Sequence, residues 1–458
     1  MKNWSPRLDN DPGPLFMQLF RPLQQDIFTG TLKAGDSLPP QRRTASDLGL
    51  SLGTVSKAYQ HAIQCGLVEA HVGRGTIVSG LQEPEQITDN GTLIDLQTNT
   101  PPFPLTRSLL LEASGRAART LYRDSSMQYP PVAGLPRHRA TISQWIKKRF
   151  NIPLAPDDIT LTLGALQAIS LAIAATSKVG QKIYGEPVTF AGIKSAAQYL
   201  GRDLCPLPMD EDGIIPEAFE QVARTRPGVT LITIPTVQNP TGLTYKARRR
   251  QALAAIAQKY DAWIIESDVY RFLNPTAPAP LHSHAPDRTL YINSFSKCLS
   301  PDLRVGLLVA PEQLRAKIQQ GQQAGGWSTP PLSVEIVCQL LQNGVADAYM
   351  TRLAQTCRDR ATLVSRHLND FRAPAAGSSY HLWMPCDFQT AEKMYIQARN
   401  QNVILTPPAA ITLHPAPDTA SGIRLCLGSE QRPQYFYFAL LRLKKALTQD
   451  PSSACGII

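Results

Sequence analysis

From about Leu93 onward the sequence alternates short apolar runs with stretches of helical periodicity. The runs are Ile159 to Leu163, Leu231 to Pro235, Trp263 to Ser267, Thr289 to Asn293 and Gly306 to Val309. This alternation predicts an α/β domain with a mainly parallel sheet, because parallel neighbours are joined only by long crossovers, usually helices. From about Pro331 helical periodicity dominates, and strands are expected near Tyr380–Met384 and Ile423–Leu427, which make a smaller α+β subdomain. The chain has 458 residues, room for about three folding units.

Residues 1–80 follow a different pattern. Pro14 to Thr29 places Leu15, Leu19, Leu23 and Ile27 on one helical face. Arg42 to Leu48 is a second helix, Gly49-Leu50-Ser51 breaks it, and Leu52 to Cys65 is a third. Val68–His71 and Thr76–Ser79 then flank Gly73-Arg74-Gly75 as a hairpin. Two helices joined by so short a turn make a helix-turn-helix, whose second helix enters the DNA major groove by its N-terminal end. Val55, Ala58 and Ile63 are expected to face the core. Ser51, Thr54, Ser56, Lys57 and Tyr59 offer donors to the groove, while Arg42 and Arg43 meet phosphates. Arg74, between two glycines, is a wing contact. Eight basic side chains against six acidic ones leave this module only weakly positive, so affinity must come from local placement or dimerisation. A winged helix used only for protein contact is the competing reading.

Residues 32–78, LKAGDSLPPQRRTASDLGLSLGTVSKAYQHAIQCGLVEAHVGRGTIV, resemble the winged helix-turn-helix of the GntR family of bacterial regulators. That resemblance makes Arg42 the DNA-contacting arginine. It also marks Thr44 as a departure, since an apolar residue is usual there, and weaker local packing is expected. Residues 81–92 are polar with Pro, Gly and Asn and read as a linker. Residues 93–445 then form the large unit, and 446–458 a flexible tail.

Polar clusters follow three of the apolar runs: Gln238-Asn239-Pro240-Thr241-Gly242, Glu266-Ser267-Asp268-Val269-Tyr270, and Ser294-Phe295-Ser296-Lys297 with Pro301 and Arg304 beyond. Open α/β sheets bind ligands at the C-terminal ends of their strands. Lys297 alone is as well explained as a solvated surface residue, but the set has the parts that pyridoxal 5′-phosphate (PLP) requires. The cofactor needs a lysine for its aldehyde, a carboxylate for its pyridine nitrogen, donors for its phenolate oxygen, and serines, arginine and backbone N–H groups for its phosphate. Lys297, Asp268, Asn239 with Tyr270, and Ser294, Ser296 and Arg304 supply these in turn. Gly164-Ala165-Leu166 adds a helix N-terminus for the phosphate.

Over roughly residues 93–445 these motifs resemble the class I, fold-type I aminotransferases. The resemblance implies Lys297 as the Schiff-base lysine, Asp268 on the pyridine nitrogen, and Asn239 and Tyr270 on the phenolate oxygen. It implies Phe190 stacked on the ring and Tyr129 reaching the phosphate of a neighbouring subunit. Arg424, in Gly-Ile-Arg-Leu, matches the arginine that clamps a substrate α-carboxylate. A GntR-type reader joined to such a domain is the arrangement of the MocR subfamily. The resemblance therefore implies a homodimeric, PLP-dependent regulator of amino acid or vitamin B6 metabolism genes, with operator DNA as partner and PLP or an amine as signal. A working aminotransferase with an accessory DNA-binding domain is the alternative.

Composition narrows the setting. The net charge of +10 permits a polyanionic partner without proving one. No run of about 18 apolar residues exists to cross a membrane, and MKNWSPRLDNDPGP lacks the apolar core of a secretory signal. Eight scattered cysteines form no C-x-x-C pair and have no histidine at metal spacing, so the expectation is a reduced, cytoplasmic protein without a zinc site. The eight histidines are read as surface or core residues, and Arg248-Arg249-Arg250 as a solvated helix start or an auxiliary DNA contact.

Overall fold

The computed structural model describes residues 4, 8, 14–28, 31–32, 35–64, 67–71, 75–78, 92–123, 128–373 and 377–448. They divide into two compact units, Met1–Thr92 and Leu93–Ile458. The linker up to residue 91, Arg74 and the tail beyond residue 448 lie outside the described residues.

The first unit consists of α1 (Leu15–Phe28), α2 (Gln41–Leu48), α3 (Leu52–Gln64), β1 (Val68–His71) and β2 (Gly75–Val78). Leu19, Leu23 and Ile27 of α1 close over Val55, Ala58 and Tyr59 of α3 to make its core. Gly49 ends α2 at φ +64°, a left-handed conformation that a side chain disfavours, and this sets the tight turn into α3. Ser51 then caps α3, its Oγ accepting the Thr54 N–H at 3.1 Å. β1 and β2 pair antiparallel from Val68↔Val78 to His71↔Gly75.

Three expectations change here. Tyr59 does not face DNA: it is fully buried, its hydroxyl donating to Pro39 O at 2.9 Å. Thr44 fills the position usually apolar without loosening the core, because its Oγ1 lies 3.0 Å from the same Tyr59 hydroxyl. Ile63, expected in the core, is 38% exposed.

The second unit opens with β3 (Ile94–Asp95), α4 (Arg107–Arg123), α5 (Pro136–Phe150), β4 (Ile159–Thr162), α6 (Gly164–Thr176), β5 (Lys182–Gly185), α7 (Ala191–Tyr199) and β6 (Asp203–Pro206). It continues through β7 (Met209–Asp210), β8 (Gly213–Ile214), α8 (Pro216–Thr225), β9 (Thr230–Thr233), α9 (Ala247–Lys259), β10 (Trp263–Ser267), β11 (Thr289–Ser294) and β12 (Gly306–Val309). The sheet order is β4-β12-β11-β10-β9-β5-β6. Only β12 runs against its neighbours β11 and β4, so the sheet is mixed but mostly parallel, as the alternation predicts. Strands such as Ile159–Thr162 and Thr230–Thr233 are buried at every position, their threonines included, as expected of strands covered on both faces.

The remaining chain forms α10 (Glu312–Ala324), α11 (Pro331–Gln342), α12 (Val345–His367), β13 (His381–Asp387), α13 (Phe388–Asn400), β14 (Val403–Ile404), α14 (Pro408–Ile411), β15 (Ala420–Cys426) and α15 (Pro433–Thr448). β13 pairs antiparallel with β15, and β14 pairs parallel with β3, so the start of the unit is tied to its last third. No described helix is long and apolar enough to cross a membrane.

Candidate functional site

Because β9, β10, β11 and β5 all run the same way, the segments that leave their C-terminal ends meet on one edge. The clusters around Asn239, Asp268 and Lys297 leave from β9, β10 and β11, and Phe190 and the start of α6 come from the segments after β5 and β4. They surround a cavity of about 190 Å³. Ala165, Leu166, Phe190, Asn239, Tyr270, Ser294, Ser296, Lys297 and Arg304 all line it. Ser267, Val269, Ile169, Ile234 and Pro301 complete the wall.

Lys297 donates its Nζ to the backbone oxygen of Asn99. Burial, with Arg424 and Arg304 adding to it, pushes its ammonium pKa down to about 8. Tyr270 accepts from Asn99 Nδ2 at 3.0 Å, and burial pushes its phenol up to about 12. Asp268 is fully buried. Its Oδ2 accepts from Arg271 Nε and, at 3.0 Å, from the Tyr291 hydroxyl. Its Oδ1 is buried and has no partner.

The end opposite the lysine is shaped by close approach. Gly164 opens α6 at φ +77°, and a Cβ there would stand 2.7 Å from Arg304 Nη2. A Cβ on Gly306 would meet Gly164 backbone at 2.6 Å. Arg304, itself at φ +50°, donates to Leu163 O at 2.9 Å and lies 3.4 Å from Ser296 Oγ. The Ser294 hydroxyl gives its proton to Val305 O and accepts the Ser296 N–H, so it holds the turn that presents Ser296 and Lys297. The first N–H groups of α6 lack helical acceptors and, with Arg304, suit an anion.

Arg424 is 6% exposed on β15. Its Nη1 donates to Asn239 Oδ1 at 2.7 Å, its Nη2 to Gln97 O and Thr406 Oγ1 at 2.7 Å each, and its Nε to Thr406 Oγ1 at 3.1 Å. Tyr129 is not brought to the cavity: it is 82% exposed, its ring 5.2 Å from that of Trp327.

Several participants carry no motif. Asn99 reaches the site from a stretch without chemical signature and bonds Lys297, Tyr270 and His381. His381 is a core histidine, one of the two expectations for the histidines, and it is fully buried beside Asn99, Nδ1 3.0 Å from Asn99 Nδ2 and Nε2 3.1 Å from Gln238 O. Since a carbonyl can only accept, the partners assign the proton to Nε2. Burial, then the charge of Arg424, pushes its pKa down to about 3. Arg271 was legible only as a neighbour of Tyr270 in sequence. The triple arginine is corrected. Arg250 is fully buried on Pro235 O and Tyr245 O, 3.6 Å from Glu266, and Arg249 bonds Asp210 and Gly213 O. In the first unit Arg42, Arg43, Ser51 and Lys57 are exposed and Thr54 and Ser56 half-buried, Arg43 pairing with Asp47 at 3.5 Å.

Residues 91–439 match the aminotransferase class I and II family, and residues 17–78 match the gntR family of bacterial regulatory proteins. The chain belongs to the aminotransferase class I and II family. With the gntR segment ahead of it, the whole has the MocR arrangement. It is 27% identical over 399 residues to the probable rhizopine catabolism regulatory protein MocR of Rhizobium meliloti, 80% of each chain. It is 28% identical over 392 residues to the vitamin B6 salvage pathway transcriptional repressor PtsJ of Salmonella typhimurium, 84% of this chain and 88% of that one. Among solved structures it resembles LysN, the alpha-aminoadipate aminotransferase of Thermus thermophilus, complexed with N-(5′-phosphopyridoxyl)-L-leucine. The TM-score is 0.69 at 25% identity, over 78% of this chain and 92% of that one.

The family's cofactor fits the residues present. The unpartnered Oδ1 of Asp268 is a buried carboxylate oxygen that lacks a cation or N–H donor. The Gly164–Arg304 end leaves no room for a Cβ and gathers donors suited to phosphate. Pyridoxal 5′-phosphate is the cofactor of this site.

Proposed function

We propose that this chain is a PLP-dependent, DNA-binding transcriptional regulator of amino acid or vitamin B6 metabolism genes. The observation that carries the reading is that one chain joins a GntR-type helix-turn-helix, with Arg42 exposed on α2 and Lys57 exposed on the reading helix α3, to a cavity with a desolvated lysine. An enzyme gains nothing from the reading helix.

When bound, PLP supplies an electrophilic aldehyde carbon and an electron-accepting ring. Lys297 attaches it; with a pKa near 8 its neutral, nucleophilic fraction at neutral pH is on the order of a hundredfold larger than that of an ordinary lysine. Asp268 Oδ1 holds a proton at the ring nitrogen, while Arg271 and Tyr291 orient the carboxylate through the other oxygen. Asn239 and Tyr270 take the ring oxygen, and Phe190 covers a ring face. Ser296, Arg304 and the Ala165 and Leu166 N–H groups take the phosphate, while Ser294, its proton given to Val305 O, holds the turn that presents Ser296. Arg424 offers its fork to the carboxylate of an amino-acid effector. The exposed Tyr129 serves the phosphate site of a second copy in a homodimer. Arg42, Arg43, Ser51, Thr54, Ser56, Lys57 and Arg74 contact operator DNA in the cytoplasm. Occupancy of the cavity then shifts the population of DNA-competent dimers.

Transamination is the second reading, because Lys297, Asp268 and Arg424 are all retained. A gel-shift titration against the DNA upstream of the chain's own gene, with and without PLP in excess competitor DNA, tests the first reading. A specific complex that changes with PLP supports it. No specific complex in either state overturns it in favour of the enzyme.

A further inference from the structure

Away from the cavity, the outer edge of the large sheet carries three side chains of complementary metal chemistry. Asp203 and Cys205 lie two residues apart on β6, so their side chains leave the same face of the strand. β6 is the last strand of the sheet. His414, more than two hundred residues later in the chain, arrives from the segment that follows α14.

Its backbone is fixed to the large sheet's side: Leu413 N donates to Pro187 O at 2.8 Å, Thr189 N donates to Ile411 O at 2.8 Å, and Val188 bridges Thr412. His414 itself sits at φ +44°, a left-handed conformation uncommon outside glycine. Its Nε2 stands 3.4 Å from Asp203 Oδ1, and Cys205 Sγ stands 3.4 Å from Asp203 Oδ2. Donor atoms of all three residues lie within 4.8 Å of one another.

We propose that Asp203, Cys205 and His414 form a zinc site, with water in the fourth position. Tetrahedral zinc with bonds of about 2.0–2.3 Å separates its donors by roughly 3.5 Å. Asp203 approaches His414 through Oδ1 and Cys205 through Oδ2, each at 3.4 Å, and small side-chain rotations bring one carboxylate oxygen, the sulfur and the imidazole nitrogen from within 4.8 Å to that spacing. A thiolate, an imidazole and a carboxylate together select zinc over magnesium or calcium, which take oxygen donors. Without a cation the arrangement is poor for the thiol: burial and the Asp203 charge both push the Cys205 pKa up. A divalent ion reverses this, Cys205 releasing its proton to solvent as the S–Zn bond forms. Lys182, cross-strand from Asp203, and Arg226 also act on the thiol and offset part of the local negative charge. The bound ion ties the sheet edge to the segment that continues from Thr406, the residue that holds Arg424.

The test is cobalt substitution in the full chain stripped with chelator and then titrated with Co²⁺. The expected result is one Co²⁺ per chain with the intense visible bands of tetrahedral thiolate coordination, displaced by Zn²⁺. Cys205→Ser, close in size, and His414→Ala, at an exposed residue, are each expected to weaken Co²⁺ binding by about tenfold or more. Both keep the visible absorbance of the lysine-bound cofactor, which reports an intact fold. Absence of stoichiometric tetrahedral Co²⁺ in the parent chain overturns the proposal. So do bands that persist unchanged in Cys205→Ser, since the ion then sits elsewhere.

Discussion

Arg424 and Asn239 are bonded directly, Nη1 to Oδ1 at 2.7 Å, across 185 residues of sequence. The group proposed for an effector carboxylate therefore shares a hydrogen bond with the group proposed for the cofactor's ring oxygen. Anything that draws Arg424 toward a carboxylate competes with its hold on Asn239, so the two ligands are coupled through one side chain.

Replacing Arg424 by lysine tests that coupling. A lysine has one nitrogen and cannot serve Asn239, Thr406 and Gln97 from three directions as the guanidinium does. Spectral titration of the cofactor-loaded protein with amino acids is expected to show about tenfold or greater weakening, and no comparable change for amines that lack a carboxylate. Equal losses for both ligand classes would remove Arg424 from the carboxylate site.

Lys297→Ala is expected to abolish the visible absorbance of lysine-bound cofactor while the circular dichroism spectrum persists. In the parent chain the rate of cofactor attachment is expected to rise with pH and level off above about 8, because only the neutral amine attacks. A midpoint near the ordinary lysine value of 10.5 would mean that the lysine is solvated, not desolvated.

Arg42→Ala and Tyr59→Phe separate contact from support in the first unit. Arg42→Ala is expected to weaken operator binding and reduce the salt slope by about one, with cofactor absorbance untouched. Tyr59→Phe removes the buried hydroxyl bonded to Pro39 O and near Thr44, a loss of about 1–2 kcal/mol in stability seen in denaturant melts. Should Tyr59→Phe instead alter the salt slope as Arg42→Ala does, the side chain reaches DNA after all.

His381 gives the fold a pH signature. Its pKa falls from 6.5 in the unfolded chain to about 3 in the fold. Between those values the unfolded state binds more protons, so stability falls as pH drops below about 6.5. His282, pushed down to about 4 by burial, acts in the same direction. Denaturant melts at pH 7 and pH 5 are expected to differ less in His381→Asn than in the parent chain. An identical pH dependence would place the titration elsewhere.

The fold was legible wherever the chain's local pattern and its packing agree. Trp263–Ser267 and Gly306–Val309 are strands with the bounds expected, because strands covered on both faces begin as short apolar runs that stand out from the flanking polar sequence. The cavity was legible from the residues that end those strands, since parallel neighbours bring their C-terminal ends together by topology alone. Asn99 and His381 were not legible, because nothing in their local sequence distinguishes a buried amide or imidazole from a surface one. Tyr59 was misread for a related reason: helical periodicity assigns a face, but only the three-dimensional position of Thr44 and Pro39 O makes burial of its hydroxyl affordable.

By itself, then, the sequence determined the two-part plan, the sheet and the identity of the lysine, carboxylate and asparagine at its edge, because these follow from local periodicity and strand order. Tertiary structure decided which oxygen of Asp268 stays without a partner, that Arg424 holds Asn239, and that His414 meets Asp203. The last two contacts join residues about two hundred positions apart, and a chain's local pattern carries no record of the distances that folding brings to a few ångströms.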